Sequence, residues 1–259
     1  MTRNPPDRGV EEKEGQKIMC GRYTLAQAAD RLAEAFDLDD DVPSMPFRYN
    51  IAPTQAVPVV RAIGQSPQLD LLHWGLIPSW SKDPTIGFRL INARAETLTE
   101  KPSFRAAFRR RRCLIPADGF YEWQQVERKK QPYYFCRDGH QPFAFAGLWE
   151  HWESADGEIE SCTIVTTEAN HLLRSIHHRM PVILQPEDYE QWLDPQVQEG
   201  DRLQHLLYPD EDKTFIRYPV STKVNRPQND TLQCIEPISL EETDSEVDSA
   251  KANDIVQPH

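Results

Sequence analysis

The stretch CLIPADGFYEW, residues 113–123, is a short run of apolar and aromatic residues bordered by polar and charged ones. Similar runs recur along the chain: VPVVRAI (57–63), LDLLHWGL (69–76), PYYFC (132–136), FAFAGLW (143–149), CTIVTT (162–167), PVIL (181–184) and FIRYPV (215–220). Short apolar or alternating runs separated by Pro, Gly and charged turns are typical of β-strands. The sequence therefore predicts a strand-rich protein.

Helical patterns are fewer and mostly short. TLAQAADRLAEAFDL (24–38) spaces its apolar residues along one helical face, with Thr24 as the predicted N-cap. Shorter candidates are PSFRAAFRRR (102–111), TEANHLLRSI (167–176) and PEDYEQWL (186–193), the last with Pro186 suited to a first turn. Strands do not alternate regularly with long helices, so we predict a mixed, largely antiparallel α+β fold rather than a doubly wound sheet.

The composition limits the possible environments and partners. The 259 residues carry 41 acids against 29 bases, a formal charge of −12. No apolar run approaches the roughly 18 residues that span a bilayer, and the polar first residues lack a secretory signal, so we expect no membrane partner and a cytoplasmic location. The acidic total argues weakly against nucleic acid as a partner.

The two ends differ in composition from the middle of the chain. Residues 1–18 balance bases and acids without periodicity and predict a disordered extension, and residues 237–259 predict an acidic disordered tail. We expect residues 19–236 to form one domain, because a single core can account for this length.

One segment contradicts the acidic total. Residues 101–117 contain six bases and no acid. This run is either part of a basic groove on an acidic body or a solvated helix end. The loop-like segments WGLIPSW (74–80) and FYEW (120–123) place tryptophans where they could stack on unpaired bases, although tryptophan is more often a core residue.

The five cysteines, at positions 20, 113, 136, 162 and 234, are odd in number and never form a CxxC pair. This pattern makes a disulfide framework or a zinc site improbable, and we expect no metal and no cofactor. Four of them lie beside apolar residues and are expected to be buried. Cys20 differs, because it lies in MCGRYTL beside a glycine and an arginine.

A set of polar residues is not explained by the strand and loop patterns. Taken singly, each is more simply read as structural; Glu122 could pair with Arg94, and a histidine could lie on the surface. Together they offer a thiol, a carboxylate, an imidazole, an amide and guanidiniums, which a covalent site for an anionic substrate would need. They are Cys20, Asn92, Arg94, Glu122, His177, His178 and Arg179.

Eight motifs then carry a resemblance: MCGRYTL, RYNIAPTQ, WGLIPSW, INARAET, ADGFYEW, AGLWE, CTIVTT and IHHRMPVIL. In this order, over residues 19–236, they resemble the SRAP family of abasic-site processing proteins, originally named SOS response-associated peptidases. The resemblance implies a single compact α+β domain with a barrel-like β core. It also implies covalent crosslinking to abasic sites in single-stranded DNA during the DNA damage response.

The resemblance assigns the site residue by residue. Cys20 matches the family's reactive N-terminal cysteine, His177 would assist opening of the sugar ring, Glu122 would transfer protons, and Asn92 would orient the sugar. The DNA-binding positions that it implies are Arg22, Asn50, Pro53, Trp80, Arg94, Trp123, Thr166 and Arg179. We expect single-stranded DNA with abasic sites as the partner, a monomer, and contacts with replication-associated proteins.

The chain departs from the family pattern at its start. Only an N-terminal cysteine offers both the amine and the thiol that close a thiazolidine on an aldehyde, yet Cys20 follows Met19 and an 18-residue extension. Translation could begin at Met19, the extension could be cut off, or crosslinking could be lost. We predict a start at Met19, and the intact mass of the native protein tests this.

Two other functions remain open from the sequence. One is a thiol peptidase that uses Cys20 and His177, as the older family name suggests. The other is a non-covalent DNA-binding module in which Cys20 is incidental.

Overall fold

A computed structural model describes residues 20–38, 42–64, 66–155 and 157–240. The extension predicted over residues 1–18 and most of the predicted acidic tail lie outside these ranges. The strands are β1 (Tyr23–Leu25), β2 (Arg48–Ile51), β3 (Ala56–Ile63), β4 (Ser66–Trp74), β5 (Asn92–Arg94), β6 (Arg112–Ala117), β7 (Gly119–Val126), β8 (Lys129–Arg137), β9 (Phe143–Ser154), β10 (Gly157–Glu168), β11 (Arg179–Pro181), β12 (Ile183–Leu184) and β13 (Phe215–Pro219). The α-helices are α1 (Ala29–Phe36), α2 (Arg105–Arg110) and α3 (Tyr189–Leu193), and short 3-10 helices connect other elements.

Five strands form a closed barrel. β4, β3, β6 and β9 pair in succession, and β10 pairs with both β9 and β4, which completes the ring. β5 and β11 extend this sheet from β10, and β12 extends it from β9. The pairings of β10 with β4 and β5 are parallel and the others in the sheet are antiparallel. The predicted α+β class with a largely antiparallel, barrel-like core is confirmed.

A second, antiparallel sheet packs against the barrel in the order β13-β8-β7-β1-β2. Tyr23 on β1 joins the two sheets, because its ring contacts Trp74 at a centroid distance of 5.3 Å and Phe145 at 5.8 Å. All three rings are fully buried in the main core. This contact fixes the start of the described chain against the barrel wall.

The longest predicted helix is partly wrong. α1 begins at Ala29 after Ala28 as N-cap, whereas Thr24 belongs to β1. The Thr24 hydroxyl donates to Asp118 Oδ1 at 2.5 Å, and the other oxygen of that carboxylate accepts from Ala26 N–H and Gln27 Nε2. Long-range bonds to this buried carboxylate therefore hold residues 24–27 extended, against their local helical pattern.

Asp118 also divides the 113–123 stretch into β6 in the barrel and β7 in the second sheet. The next residue must be glycine, because a Cβ at Gly119 would come within 2.0 Å of Tyr134 Oη. The 113–123 run therefore contributes one strand to each sheet.

The remaining helix predictions have mixed outcomes. α2 and α3 confirm the helices predicted near residues 102–111 and 186–193, and Pro186 occupies the first turn of a 3-10 helix that leads into α3. The helix predicted over 167–176 is wrong: residues 167–168 end β10, and turns follow, where Asn170 Oδ1 accepts from Leu173 N–H. Asparagine favours such local turns over helix interiors because its side chain competes for backbone groups.

Folded contacts extend slightly beyond the predicted domain end at residue 236. Pro237 bridges Val220, and Ile238 N–H donates to the carbonyl of Pro219 at 3.0 Å. In the described part of the chain, no helix is both long and apolar enough to cross a membrane.

The arginine run is partly structural. Arg112 is buried and donates to the carbonyls of Phe108, Trp192 and Asp194, and Arg111 pairs with Glu150. Arg105, Arg109 and Arg110 are exposed on α2. Arg112 therefore holds α2 and α3 against the barrel. The three exposed arginines of α2 remain at the surface, as does Lys101.

Candidate active site

Cys20 lies three residues before the start of β1, against the Glu122 side chain of β7. Its backbone N–H donates to Glu122 Oε1 at 2.8 Å, and Cys20 is only 4% exposed. Tyr121 N–H donates to the Arg22 carbonyl at 3.0 Å, which fixes the chain beside β7. Cys20 has a φ of +43°, the left-handed region that is uncommon for residues other than glycine. The fold thus presents the nitrogen of Cys20 to a buried carboxylate.

The Cys20 thiol is held in its neutral form. Burial raises the pKa of the Cys20 thiol well above its usual value, and the charge and hydrogen bonding of Glu122 raise this pKa further. The Arg179 guanidinium acts in the opposite direction and lowers it. Arg179 is therefore close enough to Cys20 to affect its ionisation, although it belongs to another sheet.

His177 lies just before β11 and is buried. Its Nδ1 accepts a hydrogen bond from Arg179 N–H at 3.1 Å and also lies 3.3 Å from the Arg179 carbonyl oxygen. The shorter contact fits the tautomer with the hydrogen on Nε2. The backbone N–H of His177 donates to Leu173 O at 3.0 Å. The imidazole therefore has a fixed orientation.

The Arg179 side chain is buried and densely bonded. Nη2 donates to the Thr166 carbonyl at 2.6 Å, and both terminal nitrogens donate to the Glu96 carboxylate, at 2.5 and 2.9 Å. Thr166 is fully buried on β10, directly opposite Pro181 of β11. Arg179 connects the histidine segment, β10 and the cysteine.

Asn92 and Arg94 lie on β5, beside the same end of β10. β5 runs parallel to β10, with Asn92 opposite Ile164 and Arg94 opposite Thr166. Among the described residues, the buried Nδ2 of Asn92 has no hydrogen-bond partner, whereas Arg94 is exposed. An unpaired buried amide is uncommon in folded proteins, so Asn92 is a candidate for a role in binding. A ligand would reach its Nδ2 only after the side chains that cover it move.

Arg22 and Trp123 form a second group near Cys20. Arg22 Nη1 donates to Asn50 Oδ1 at 2.7 Å and to the Val224 carbonyl at 2.6 Å, and its guanidinium lies 5.9 Å from the centre of a Trp123 ring. Burial lowers the pKa of Arg22 from its usual value. Trp123 Nε1 donates to Asn225 Oδ1 at 2.8 Å. The loop containing residues 224 and 225 therefore supports both side chains.

Asn50 is fully buried beneath this group. Its Nδ2 donates to the carbonyls of Val224, Arg226 and Asn229 at 3.1, 3.0 and 2.7 Å. Such bonds anchor the loop and orient Arg22, so any effect of Asn50 on a ligand passes through these neighbours.

The other predicted positions are more accessible. Trp80, in the loop after β4, is 58% exposed, and its Nε1 donates to Pro102 O at 3.4 Å. Pro53, between β2 and β3, is half-buried. Trp74, by contrast, is a core residue with no exposed surface.

Two acidic residues of the site were not predicted. Glu96 binds Arg179, and its only sequence signal is its position two residues after Arg94 in INARAET. Asp230 accepts from Tyr49 N–H and Asn50 N–H and pairs with Arg48. Its segment, PQND, lies outside the recognised motifs and carries no functional signal.

The fold and these contacts define a closed-barrel α+β protein in which the Cys20 nitrogen bonds to a buried carboxylate, and the Arg179 segment holds a buried imidazole. The chain belongs to the SOS response associated peptidase (SRAP) family, which matches residues 19–227. The resemblance inferred from the eight motifs is confirmed.

Individual relatives agree with the family assignment. The chain is 45% identical over 222 residues to the abasic site processing protein YoqW of Bacillus subtilis, covering 84% of this chain and 99% of YoqW. It is 31% identical to the abasic site processing protein HMCES of Xenopus tropicalis, covering 86% of this chain and 79% of HMCES. A crystal structure of a Bacteroides thetaiotaomicron protein is 28% identical, with a TM-score of 0.76, covering 85% of this chain and all of that one.

Proposed function

We propose that this protein processes abasic sites in single-stranded DNA by forming a reversible thiazolidine crosslink through Cys20. The observation that carries the proposal is the 2.8 Å hydrogen bond between the Cys20 nitrogen and Glu122 Oε1, beside a buried thiol. The names of the relatives, which describe abasic site processing, support the substrate.

The reaction requires the nitrogen of Cys20 to be a free amine. An opened abasic deoxyribose presents an aldehyde at C1′. The amine adds to this carbon, and loss of one water leaves an imine. The Cys20 sulfur then bonds to the same carbon while its proton passes to the nitrogen, which closes a five-membered ring. Reversal adds the water back.

The neighbouring groups fit the proton transfers. Glu122 is placed to accept a proton from the amine before attack and to return it during reversal. His177, with Nδ1 accepting from Arg179 N–H, donates a hydrogen bond from Nε2 to the sugar-ring oxygen as the ring opens. The proton that this oxygen gains is the one that the C1′ hydroxyl loses, passed through solvent, so the imidazole stays neutral. The unpaired Nδ2 of Asn92 orients a sugar hydroxyl.

Arginine and aromatic side chains supply the DNA contacts in this proposal. Arg22, Arg94 and Arg179 neutralise phosphates around the abasic site, with Thr166 beside Arg179. Trp80, Trp123 and Pro53 pack against bases, since base–aromatic stacking tolerates any sequence. Asn50 contributes by holding Arg22.

An abasic oligonucleotide tests the proposal. Protein that begins at Cys20 should give a heat-stable adduct one water lighter than the sum of its parts. Cys20→Ala keeps the amine and loses the thiol, so it should form no heat-stable adduct. Absence of an adduct with the Cys20-terminal wild type would reject the crosslinking function.

Full-length protein is the matched control for the free amine. Its Cys20 nitrogen is an amide and is not nucleophilic, so it should form no adduct unless the preceding residues are removed. Intact mass measured before and after incubation separates these cases. Crosslinking by a species that still carries residues 1–19 would contradict the proposed chemistry.

A peptidase function remains the second candidate, because the family description names one. In this case, the Cys20 thiol and His177 would cleave the bond before Cys20. Purified full-length protein would lose its extension with time, and Cys20→Ser would prevent the loss. Retained DNA affinity with neither an adduct nor cleavage would instead indicate a non-covalent binding module.

A further inference from the structure

Glu96 has no role in the proposed chemistry, yet it forms a two-bond ion pair with Arg179. Arg179 donates from both terminal nitrogens to the two Glu96 oxygens, at 2.5 and 2.9 Å. This paired geometry is the one in which arginine also binds a phosphate. The carboxylate therefore covers the edge of Arg179 that is best suited to bind DNA.

The rest of the guanidinium offers no alternative edge. Nη2 also donates to the Thr166 carbonyl at 2.6 Å. The Nε atom is buried without a hydrogen-bond partner in the described part of the chain, so a phosphate in solvent does not reach it. A phosphate that binds this arginine in the paired manner must take the place of Glu96.

Glu96 is also positioned to leave. The side chain of Glu96 is 49% exposed, whereas that of Arg179 is 9% exposed. Partial burial raises the pKa of Glu96, but the hydrogen bonds that Glu96 accepts and the nearby arginine charges together outweigh burial and lower the pKa, so the carboxylate is charged at neutral pH. On release, it enters water at little cost, and the buried arginine remains in place.

From these contacts we infer that Glu96 is an internal competitor for the phosphate-binding edge of Arg179, displaced when a DNA strand enters the site. This inference rests on the proposed DNA-binding function. Its consequence is that Glu96 limits affinity for undamaged single strands, because each binding event must break one ion pair. The covalent bond then retains only strands that carry an abasic site.

The test uses non-covalent binding of an intact single-stranded oligonucleotide to the Cys20-terminal protein. Glu96→Gln should bind about two- to fivefold more tightly than wild type, the range expected for losing a competing half-exposed ion pair. Glu100→Gln is the matched control, because it removes the same charge from an exposed residue of the same segment. It should change affinity far less.

A double-mutant cycle shows whether the effect passes through Arg179. Arg179→Lys keeps the charge but loses the paired geometry. In this background, Glu96→Gln should increase the affinity for DNA by a smaller factor than it does in the wild type. Thermal melting verifies that each variant is folded. Weaker binding by Glu96→Gln would overturn the inference and indicate that Glu96 only positions Arg179.

The outcomes for the two proposals are distinguishable. Tighter binding by Glu96→Gln without any abasic adduct would support competition by Glu96 for Arg179 and reject the proposed crosslinking function. An adduct with equal affinities for Glu96→Gln and Glu100→Gln would support the crosslink and reject the competitor.

Discussion

Glu122 is the residue on which the proposed chemistry depends most directly. Glu122→Gln keeps an oxygen that accepts from the Cys20 nitrogen and removes the charge that accepts a proton. We expect the rate of adduct formation at saturating abasic DNA to fall about a hundredfold, the usual contribution of a general base, with little change in affinity for intact DNA.

The control for this variant is Glu127→Gln, an exposed position in the turn between β7 and β8. It should crosslink at the wild-type rate. A Glu122→Gln rate within a factor of about three of the wild type would remove Glu122 from the mechanism, since a general base contributes far more.

The residue types of the site were predictable, but their contacts were not. Cys20, Glu122 and His177 stood out because apolar patterns did not explain them. The proximity of Cys20 and Glu122 depends on a contact across 102 positions. Glu96 was missed because a glutamate near an arginine is an ordinary surface pattern, and only the barrel register brings Arg179 to it.

The segment after β13 supports the candidate DNA-binding residues beside the second sheet. Asp230 holds it by accepting from Tyr49 N–H at 2.5 Å and Asn50 N–H at 2.8 Å. Both N–H groups donate to one oxygen, Oδ1, and Arg48 Nε donates to the other, Oδ2. We expect Asp230→Asn to lower the free energy of unfolding by about 1–3 kcal/mol, because the shared acceptor loses its charge and the amide nitrogen leaves Arg48 without its acceptor. Urea denaturation measures this change.

The same variant should separate binding from chemistry. Affinity for intact single strands should fall about three- to fivefold, which is up to about 1 kcal/mol, because residues 224 and 225 support Arg22 and Trp123. The adduct rate at saturating DNA should hold, since β1 and β7 keep Cys20 beside Glu122. Glu236→Gln, an exposed change nearby, should alter neither quantity. A lower saturated rate with unchanged affinity would contradict this role.

At the scale of elements, long runs were easier to predict than short ones. The strands in the runs that include 57–63 and 143–149 follow from their apolar patterns. β5, with three residues, and β2, with four, are too short for any periodicity to be detected. The apolar pattern predicts a helix over most of β1. The segment forms a strand because the bonds from Thr24, Ala26 and Gln27 to Asp118 outweigh that local pattern.

The whole molecule shows why net charge was a poor guide to partners. Arg111 and Arg112 are committed to internal bonds, and Arg179 is paired with Glu96. A formal charge of −12 therefore coexists with a guanidinium, that of Arg179, which is close enough to the Cys20 thiol to lower its pKa. Neither barrel closure nor this proximity can be read from composition, because both depend on contacts between segments that are distant in sequence.

Burial of cysteines in the barrel and in the second sheet makes global stability dependent on pH. Burial raises the pKa of the Cys113 and Cys162 thiols above the usual value of 9.0, and raises that of Cys136 to about 12. Above about pH 9, the unfolded chain loses these protons while the folded chain keeps them. The free energy of unfolding should therefore fall as pH rises, by up to about 1.4 kcal/mol per pH unit for each such group.

Urea denaturation at pH 7.5, 9 and 10 under reducing conditions measures this dependence. Cys162→Ala should be less stable at pH 7.5 because it leaves a cavity, yet its stability should decline less steeply between pH 9 and 10. Ile164→Val, a neighbouring β10 residue that loses only a methylene group, should keep the wild-type slope. Buried tyrosines with raised pKa values, such as Tyr23, contribute equally to the pH dependence of all three proteins. If the unfolding free energies of all three fell with pH at the same rate, the Cys162 thiol would have the same pKa in the folded and unfolded states, which would contradict the prediction.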